Sequence, residues 1–343
     1  MTYTVHIEPS GHSFDIEPHE TILDAALRHG HAFPHGCRRS GCGNCLGRVL
    51  EGKLDYGTEP PLGLSREDRA GGKAMLCQAR AGSDLIIEIE EIAALSDIAV
   101  KTLPVLVQEK ERLAEDVMRL YLKLPQRERL EFLAGQYIDI LLKDGRRRSF
   151  SIANMPLEDR LLELHIRHVE GGEFTGYIFE QLRERDVLRI EGPLGNFFLR
   201  KDSPRPLVFI AGGTGFAPVK SILELAFAER LSQPITLYWG ARDKDALYLD
   251  QLPRQWARKY PNFRYLPVLS EPSPDWRGLR GHVHEAAISD LQRSALDITT
   301  CDVYACGPPA MVKSAFMAFR ELGLDETQFF SDAFEFQSPK AAG

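Results

Sequence analysis

The chain has 343 residues and six cysteines, placed unevenly. Cys37, Cys42, Cys45 and Cys77 lie in the first quarter, and Cys301 and Cys306 lie near the end. A cysteine cluster of this kind points to metal rather than to disulfides. The spacing C-x4-C-x2-C, with a fourth cysteine well downstream, is that of four-thiolate [2Fe–2S] ligation. Structural zinc sites instead pair two short C-x2-C knuckles, and this sequence has one. A cluster with histidine ligands would replace two of the thiolates, so His35 beside Cys37 reads as structural. The cluster is an anion, so the backbone around it must turn tightly and aim N–H groups at sulfur. Gly36, Gly41 and Gly43 are expected to supply the positive-φ turns and the close approach. Arg38 and Arg39 add positive charge.

Three further constellations lie downstream. Arg148, Ser149, Phe150 and Ser151 put a guanidinium, an aromatic ring and two hydroxyls on one short segment, a pattern that taken alone usually marks nothing. His165, Arg167, Gly172, Phe174 and Thr175 follow. There Gly171 and Gly172 allow a close turn, and Thr175 sits at a helix start, a natural place for an anion. Gly212, Gly213, Thr214 and Gly215 join an apolar run, Leu207 to Ala211, to a helix, which is how a backbone reaches a pyrophosphate. Cys306, Gly307 and Pro308 end another strand, with proline in the first turn of the next helix. Alone, Cys306 would read as a small buried residue. Cys301 lies in no motif and reads as structural.

These residues need three kinds of scaffold. Up to about residue 95 the pattern reads strand (4–8), turn, strand (12–16), a helix capped by Thr21 and stopped at Gly30, the cysteine loop, and a last strand (84–90). This is an α+β sheet with one helix across it, a β-grasp. From about 100 to 200 come short strand candidates at 105–109, 117–124, 137–142, 147–152, 161–168 and 187–191. Such spacing predicts an antiparallel β-barrel. From about 205 to 337 strands (207–211, 235–239, 263–268, 302–305) alternate with helices (217–230, 282–291, 309–322). That is an α/β doubly wound layout. The fold class is therefore multi-domain, with boundaries near 1–95, 100–200 and 205–337.

On these motifs the first segment resembles plant-type ferredoxins along its whole length. Arg148 to Ser151 resembles the R-x-[Y/F]-S flavin signature of the ferredoxin–NADP reductase superfamily, and Gly192 to Phe197 is also typical of it. Gly212 to Pro218 resembles its G-G-T-G-x-[AGS]-P turn, and Cys306 to Met311 its C-G-P-x-x-M motif. The order ferredoxin, flavin, nicotinamide is that of oxygenase reductase components. Stretches such as 101–104, 134–139, 164–169, 237–240 and 331–334 resemble the CDP-6-deoxy-Δ-3,4-glucoseen reductase-like group. The resemblance implies that Arg148 pairs with flavin phosphates, Phe150 stacks on the isoalloxazine, and Ser151 lies near flavin N5. It implies that Ser149 and the segment from His165 to Thr175 help hold the flavin, and that Gly212 to Gly215 meet the nicotinamide dinucleotide. Cys306 would lie by the nicotinamide ring with Gly307 and Pro308, and Phe334 would pack against the flavin. Ser151 and Cys306 are thus the expected catalytic residues.

The implied activity is electron transfer from NADH through FAD to the [2Fe–2S] centre and on to a one-electron acceptor protein. FAD rather than FMN follows from domain order in relatives. NADPH stays open because Arg242 and Lys244 suit a 2′-phosphate while Asp243 and Asp245 oppose one. The acceptor is an oxygenase component, or alternatively a deoxysugar dehydrase. A free flavin or quinone reductase is a third reading. A scaffold with a degenerate core is disfavoured by the intact motifs.

Composition sets the outer bounds. Apolar residues at 43% and charged residues at 27% fit a globular protein. A net charge of −7 and no long basic stripe exclude a nucleic-acid binder. The N-terminal residues alternate like a strand rather than forming a signal peptide, and no apolar run is long enough for membrane insertion. A cytoplasmic protein is expected.

Overall fold

A computed structural model describes residues 2–57, 61, 64–157, 160–294 and 296–334. The chain divides into two compact units, residues 1–102 with 191–196, and residues 103–190 with 197 onwards.

The first unit contains β1 (Tyr3–Glu8), β2 (Ser13–Ile16), α1 (Ile22–Arg28), β3 (Leu46–Glu51), β4 (Leu54–Asp55), α2 (Arg66–Ala70), β5 (Lys73–Met75), β6 (Arg80–Ala81) and β7 (Leu85–Glu88). Five strands form one sheet in the order β2-β1-β7-β3-β5. The first and last of the expected strands, β1 and β7, run parallel at its centre. Thr21 caps α1 by accepting the Asp24 N–H at 3.1 Å, and Gly30 follows the helix at φ +84°. Ile22, Leu23, Ala25 and Ala26 bury one helix face against Val5, Ile7, Phe14 and Ile87. Sequence periodicity did not reveal β3 or β5. They flank the sulfur loop and carry it directly into the sheet.

The second unit begins with β8 (Lys101–Ala114), β9 (Val117–Lys123), β10 (Tyr137–Leu141), β11 (Arg147–Ser151), β12 (Leu161–Arg167), α3 (Glu173–Glu180) and β13 (Val187–Leu194). The sheet order is β11-β10-β13-β8-β9-β12. A bridge between Ile152 and Leu164 joins its two edges, so the antiparallel barrel closes there. Its core is aliphatic, built from Val105, Leu120, Ile138, Ile152, Leu164 and Ile190.

The remainder is β14 (Leu207–Gly212), α4 (Phe216–Ala228), β15 (Ile235–Ala241), α5 (Gln251–Lys259), β16 (Phe263–Leu269), β17 (Leu279–Arg280), α6 (Val283–Arg293), β18 (Asp302–Gly307), α7 (Pro309–Glu321) and β19 (Phe329–Ala333). The sheet is parallel, ordered β17-β16-β15-β14-β18-β19. Residues of α4 and α5 pack on one face of it, and those of α6 and α7 on the other. Strand order reverses between β14 and β18, and in such sheets ligands bind at the carboxyl ends of the strands flanking the reversal. Gly212 and Cys306 lie at those two ends. Helix α5 was not expected; the C-terminal aromatic segment, which could equally read as a hydrophobic strand edge, forms β19 and extends the sheet beside β18.

Candidate functional site

The sulfur loop runs from His35 into β3, and Cys77 follows β5. Cys37 and Cys42 hydrogen-bond to each other, as do Cys45 and Cys77. Backbone N–H groups point at the sulfurs: Arg39 donates to Cys37 Sγ at 3.3 Å, Cys42 donates to it at 3.4 Å, and Cys37 donates to Cys42 Sγ at 3.4 Å. The thiol hydrogen bond from Cys42, aided by these N–H groups, pulls Cys37 down to about 6. The same bond, with burial, pushes Cys42 up. Four thiols in two pairs, with amides aimed at them, suit an anionic metal–sulfur group.

The glycines meet the expectation in part: Gly43 is left-handed and Gly36 gives the close approach, while Gly41 does not take a positive φ. Positive φ falls on Arg38 (+56°), Ser40 (+65°) and Gly43 (+80°), not on Gly36 or Gly41. Gly36 is needed for space, since a Cβ there would stand 3.2 Å from Cys42 Sγ and 3.0 Å from Asn44 Nδ2. Arg38 is held by ion pairs with Asp24 and Glu191. His35 is buried, and its Nδ1 bonds the Phe33 carbonyl at 2.8 Å while Nε2 accepts the Gly195 N–H at 2.9 Å. Burial lowers it to about 4, so it is a neutral structural imidazole. Glu191–Asn196, which holds all of the motif from Gly192 to Phe197 but Phe197 itself, thus belongs with the sulfur loop's unit.

In the second unit, β11 sets Arg148 opposite Ile140, Phe150 opposite Ile138 and Ser151 opposite Tyr137. Alternation puts Arg148 and Phe150 on one face, and Ser149 and Ser151 on the other. Ser149 donates to Asp139 at 2.6 Å. The Phe150 ring lies 6.0 Å from that of Phe174, on the first turn of α3. Thr175 is turned inward: it accepts the Val169 N–H at 3.1 Å and donates to the Gly172 carbonyl at 3.2 Å. A Cβ at Gly172 would strike Thr175 Oγ1 at 2.7 Å. Thr175 and Gly172 therefore shape the turn before α3. His165 is buried with both ring nitrogens engaged, to Glu163 at 2.9 Å and Tyr248 Oη at 3.0 Å.

Glu163 and Lys220 form a buried polar core between β12 and α4, 2.9 Å apart, and Lys220 also reaches Glu224 and the Ala153 carbonyl. Burial alone would raise the Glu163 carboxyl. The His165 hydrogen bond and the Lys220 charge outweigh it and hold Glu163 at about 2.

At the reversal in strand order lies a cavity of about 630 Å³. Gly212, Gly213, Thr214, Pro308, Phe334 and Arg167 are among its lining residues. Glycine has two uses here. Gly213 is left-handed, at φ +55°, with the Arg167 guanidinium 3.2 Å from where a Cβ would sit. Gly212, Gly215 and Gly307 let two chain segments touch: a Cβ on Gly215 would overlap the Cys306 carbonyl, and one on Gly307 would lie 3.0 Å from Gly212 Cα. Arg167 keeps buried Nε and Nη2 atoms without a hydrogen-bond acceptor, although its Nε stands 3.4 Å from Asp116. Buried donors lacking an acceptor suit a phosphate-bearing ligand.

Ser151, Cys306 and Asp332 converge. Ser151 Oγ donates to Asp332 Oδ2 at 3.5 Å, and Cys306 Sγ lies 4.0 Å from the same oxygen. Burial, reinforced by the Asp332 charge, pushes Cys306 well up, so it stays a thiol. Phe334 donates its N–H to the Gly307 carbonyl at 2.9 Å, which fixes it at the cavity wall. Sequence reasoning placed Ser151, Cys306 and Phe334 together but overlooked Asp332. Its only signal was an acid within the apolar end segment 329–334. Phe336, which continues the aromatic end segment, lies outside the described residues. Cys301 is buried and bonds the Asp297 carbonyl at 3.5 Å, a structural role.

Family models match three successive stretches of the chain. Residues 5–82 match the 2Fe-2S iron-sulfur cluster binding domain, 104–199 the oxidoreductase FAD-binding domain, and 209–316 the oxidoreductase NAD-binding domain. The chain is 40% identical over 334 residues to the CDP-6-deoxy-L-threo-D-glycero-4-hexulose-3-dehydrase reductase of Yersinia pestis, covering 97% of this chain and 99% of that one. It is 36% identical over 335 residues to reductase component 2 of terephthalate 1,2-dioxygenase from Comamonas, with 97% and 98% covered. Among solved structures, an Amycolatopsis cytochrome P450 reductase superposes with a TM-score of 0.84 at 34% identity, covering 97% of this chain and 98% of that one. No helix among the described residues is long and apolar enough to cross a membrane. The sulfur loop, the barrel strand with its arginine and the glycine-lined cavity fit the three groups these domains bind, so the chain belongs to the ferredoxin-reductase-type family of NAD(P)H-dependent iron–sulfur flavoproteins, with [2Fe–2S], FAD and NADH as its cofactors.

Proposed function

We propose that this chain draws electrons from NADH and delivers them singly to the oxygenase component of a multicomponent system. The observation that carries the reading is the covalent union of a four-thiol loop with a flavin barrel and a glycine-lined cavity at a sheet reversal. When held by these residues, flavin would supply conversion of a hydride to single electrons, and a [2Fe–2S] cluster would supply one-electron carriage.

The chain's own residues do the holding. Cys37, Cys42, Cys45 and Cys77 ligate iron. Arg148 and Arg167 hold phosphate, and Phe150 and Phe334 flank the flavin ring. Gly212 to Gly215 and Gly307 with Pro308 receive the dinucleotide. Ser151 and Cys306 face the reacting atoms as neutral donors, and Asp332 orients both. His165 acts one step back, fixing β12 through Glu163 and Tyr248. NADH is favoured over NADPH because Arg242, on the cavity wall, is paired with Asp243 at 3.4 Å, and Glu285 also lines the cavity. The three domains are assigned to 1–95, 100–200 and 205–337, the last extending past the described residues. The protein is assigned to the cytoplasm, where free thiols stay reduced.

A second reading, reductase to a deoxysugar dehydrase, is favoured by the 40% match to such a protein. Cys45→Ser tests what both readings share. It should abolish reduction of a one-electron protein acceptor and leave NADH–ferricyanide activity largely intact. Retained protein-acceptor activity would defeat both. Assay with purified oxygenase and dehydrase components then separates them.

A further inference from the structure

Away from the sulfur loop, three segments of the first unit bring together two imidazoles and a carboxylate. His12 comes from the turn between β1 and β2, His31 from the segment after α1, and Glu91 from the chain leaving β7. Each Glu91 oxygen meets a different ring: Oε2 lies 2.7 Å from His12 Nδ1, and Oε1 lies 2.9 Å from His31 Nδ1. Candidate ligand atoms from the three residues all lie within 4.8 Å of one another. The trio is partly preformed. Side-chain exposure is only 15% for His31 and 17% for Glu91, against 61% for His12. Phe14 stands 5.4 Å from the His31 ring and holds it in place. The two Glu91 oxygens are thus already turned toward both imidazoles.

We propose that His12, His31 and Glu91 form a binding site for a divalent transition ion, Zn²⁺ being the best fit. Two imidazole nitrogens and one carboxylate oxygen are a borderline donor set, with zinc distances of about 2.0–2.2 Å and water completing a tetrahedron. Binding at the two Nδ1 atoms leaves each ring a neutral imidazole with its proton on Nε2, and the exposed His12 makes the final adjustment. The ion would act as a staple. Next to Glu91, the Ile92 N–H donates to the Ala32 carbonyl at 2.9 Å. A metal here adds a second tie between the post-helix segment and the exit strand, and joins the β1–β2 turn to both. The cysteines take no part, so cluster iron and the staple ion are separate.

The test is equilibrium dialysis of untagged holoprotein against Zn²⁺, with zinc and iron measured on the same sample. One zinc per chain is expected, with iron unchanged, and the ion should raise the temperature at which the cluster bleaches. His12→Ala and Glu91→Gln should each weaken zinc binding by about tenfold or more. His6→Ala, an exposed histidine on β1, should bind like wild type. Cluster absorbance reports whether each variant is folded, and His12 is exposed enough that its loss leaves the core intact. Zinc uptake matched by iron loss would place the ion at the cysteines and overturn the proposal. Absence of uptake, or equal uptake by wild type and both ligand variants, would also overturn it.

Discussion

The sulfur loop and the glycine crossing at the sheet reversal look alike in sequence, since both are short, glycine-rich and carry a cysteine. They solve different problems. In the sulfur loop the two needs are split between residues: the left-handed positions are Arg38, Ser40 and Gly43, and Gly36 leaves space beside Cys42 Sγ. At the crossing the need is mainly steric. Gly212, Gly215 and Gly307 let β14 and β18 end in contact, and two glycines of the crossing, Gly213 at φ +55° and Gly307 at φ +149°, also take backbone conformations that side chains disfavour. Glycine content therefore marks both sites without telling which job each residue does. Only the neighbours within reach of a Cβ decide that.

The largest expected effect is Gly215→Ala. The added methyl group would overlap the Cys306 backbone, which cannot step aside as a side-chain tip can. A loss of about 3 kcal/mol or more is expected, read as a drop in the unfolding midpoint with NADH binding lost. A stable variant would show that the crossing tolerates side chains and that its glycines serve only the turn.

Next comes the polar core behind the crossing. Glu163 at about 2 lies below the ordinary carboxylate value of 4.5, so its contribution is fully present above pH 4.5. It is lost as pH falls through about 2, which makes wild-type stability drop with acid across that window. Glu163→Gln leaves Lys220 with a weaker buried partner. It should cost about 3 kcal/mol at pH 7 and flatten the same part of the acid profile. An unchanged slope would remove Glu163 from the account.

Gly36→Ala should be milder and local. It crowds Cys42 Sγ, so the iron-to-protein ratio should fall while nicotinamide binding in the second unit stays normal. Gly43→Ala is smaller still. Nothing lies within 4 Å of its Cβ position, and only the positive φ is penalised, at about 1 kcal/mol. If Gly43→Ala harmed cluster loading more than Gly36→Ala, the loop would be limited by conformation throughout.

Much of this was legible in the sequence because covalent spacing carried it. Four thiolates and a glycine turn between strand and helix keep their spacing wherever they occur. The long helices α4 and α7 were visible from periodicity. The missing parts depend on tertiary partners. In α5, Pro253 and Trp256 are buried among polar neighbours, which obscures a helical stripe. The strand β19 is a half-buried edge whose residues do not alternate, so the sequence left it between a strand edge and an aromatic segment packed on a flavin. Asp332 is buried against Ser151 and Cys306, but in sequence it is an ordinary acid. Glu163 and Lys220 meet across 57 positions, and neither residue signals a buried partner.

The most direct test of the central claim is an anaerobic titration of the holoprotein with NADH, followed by visible absorbance and low-temperature EPR. The account predicts flavin bleaching together with a rhombic [2Fe–2S]⁺ signal, one electron reaching the cluster in each chain. Bleaching with no cluster signal at any NADH level, despite stoichiometric iron, would contradict it. The four-thiol loop would then not be the route by which electrons leave.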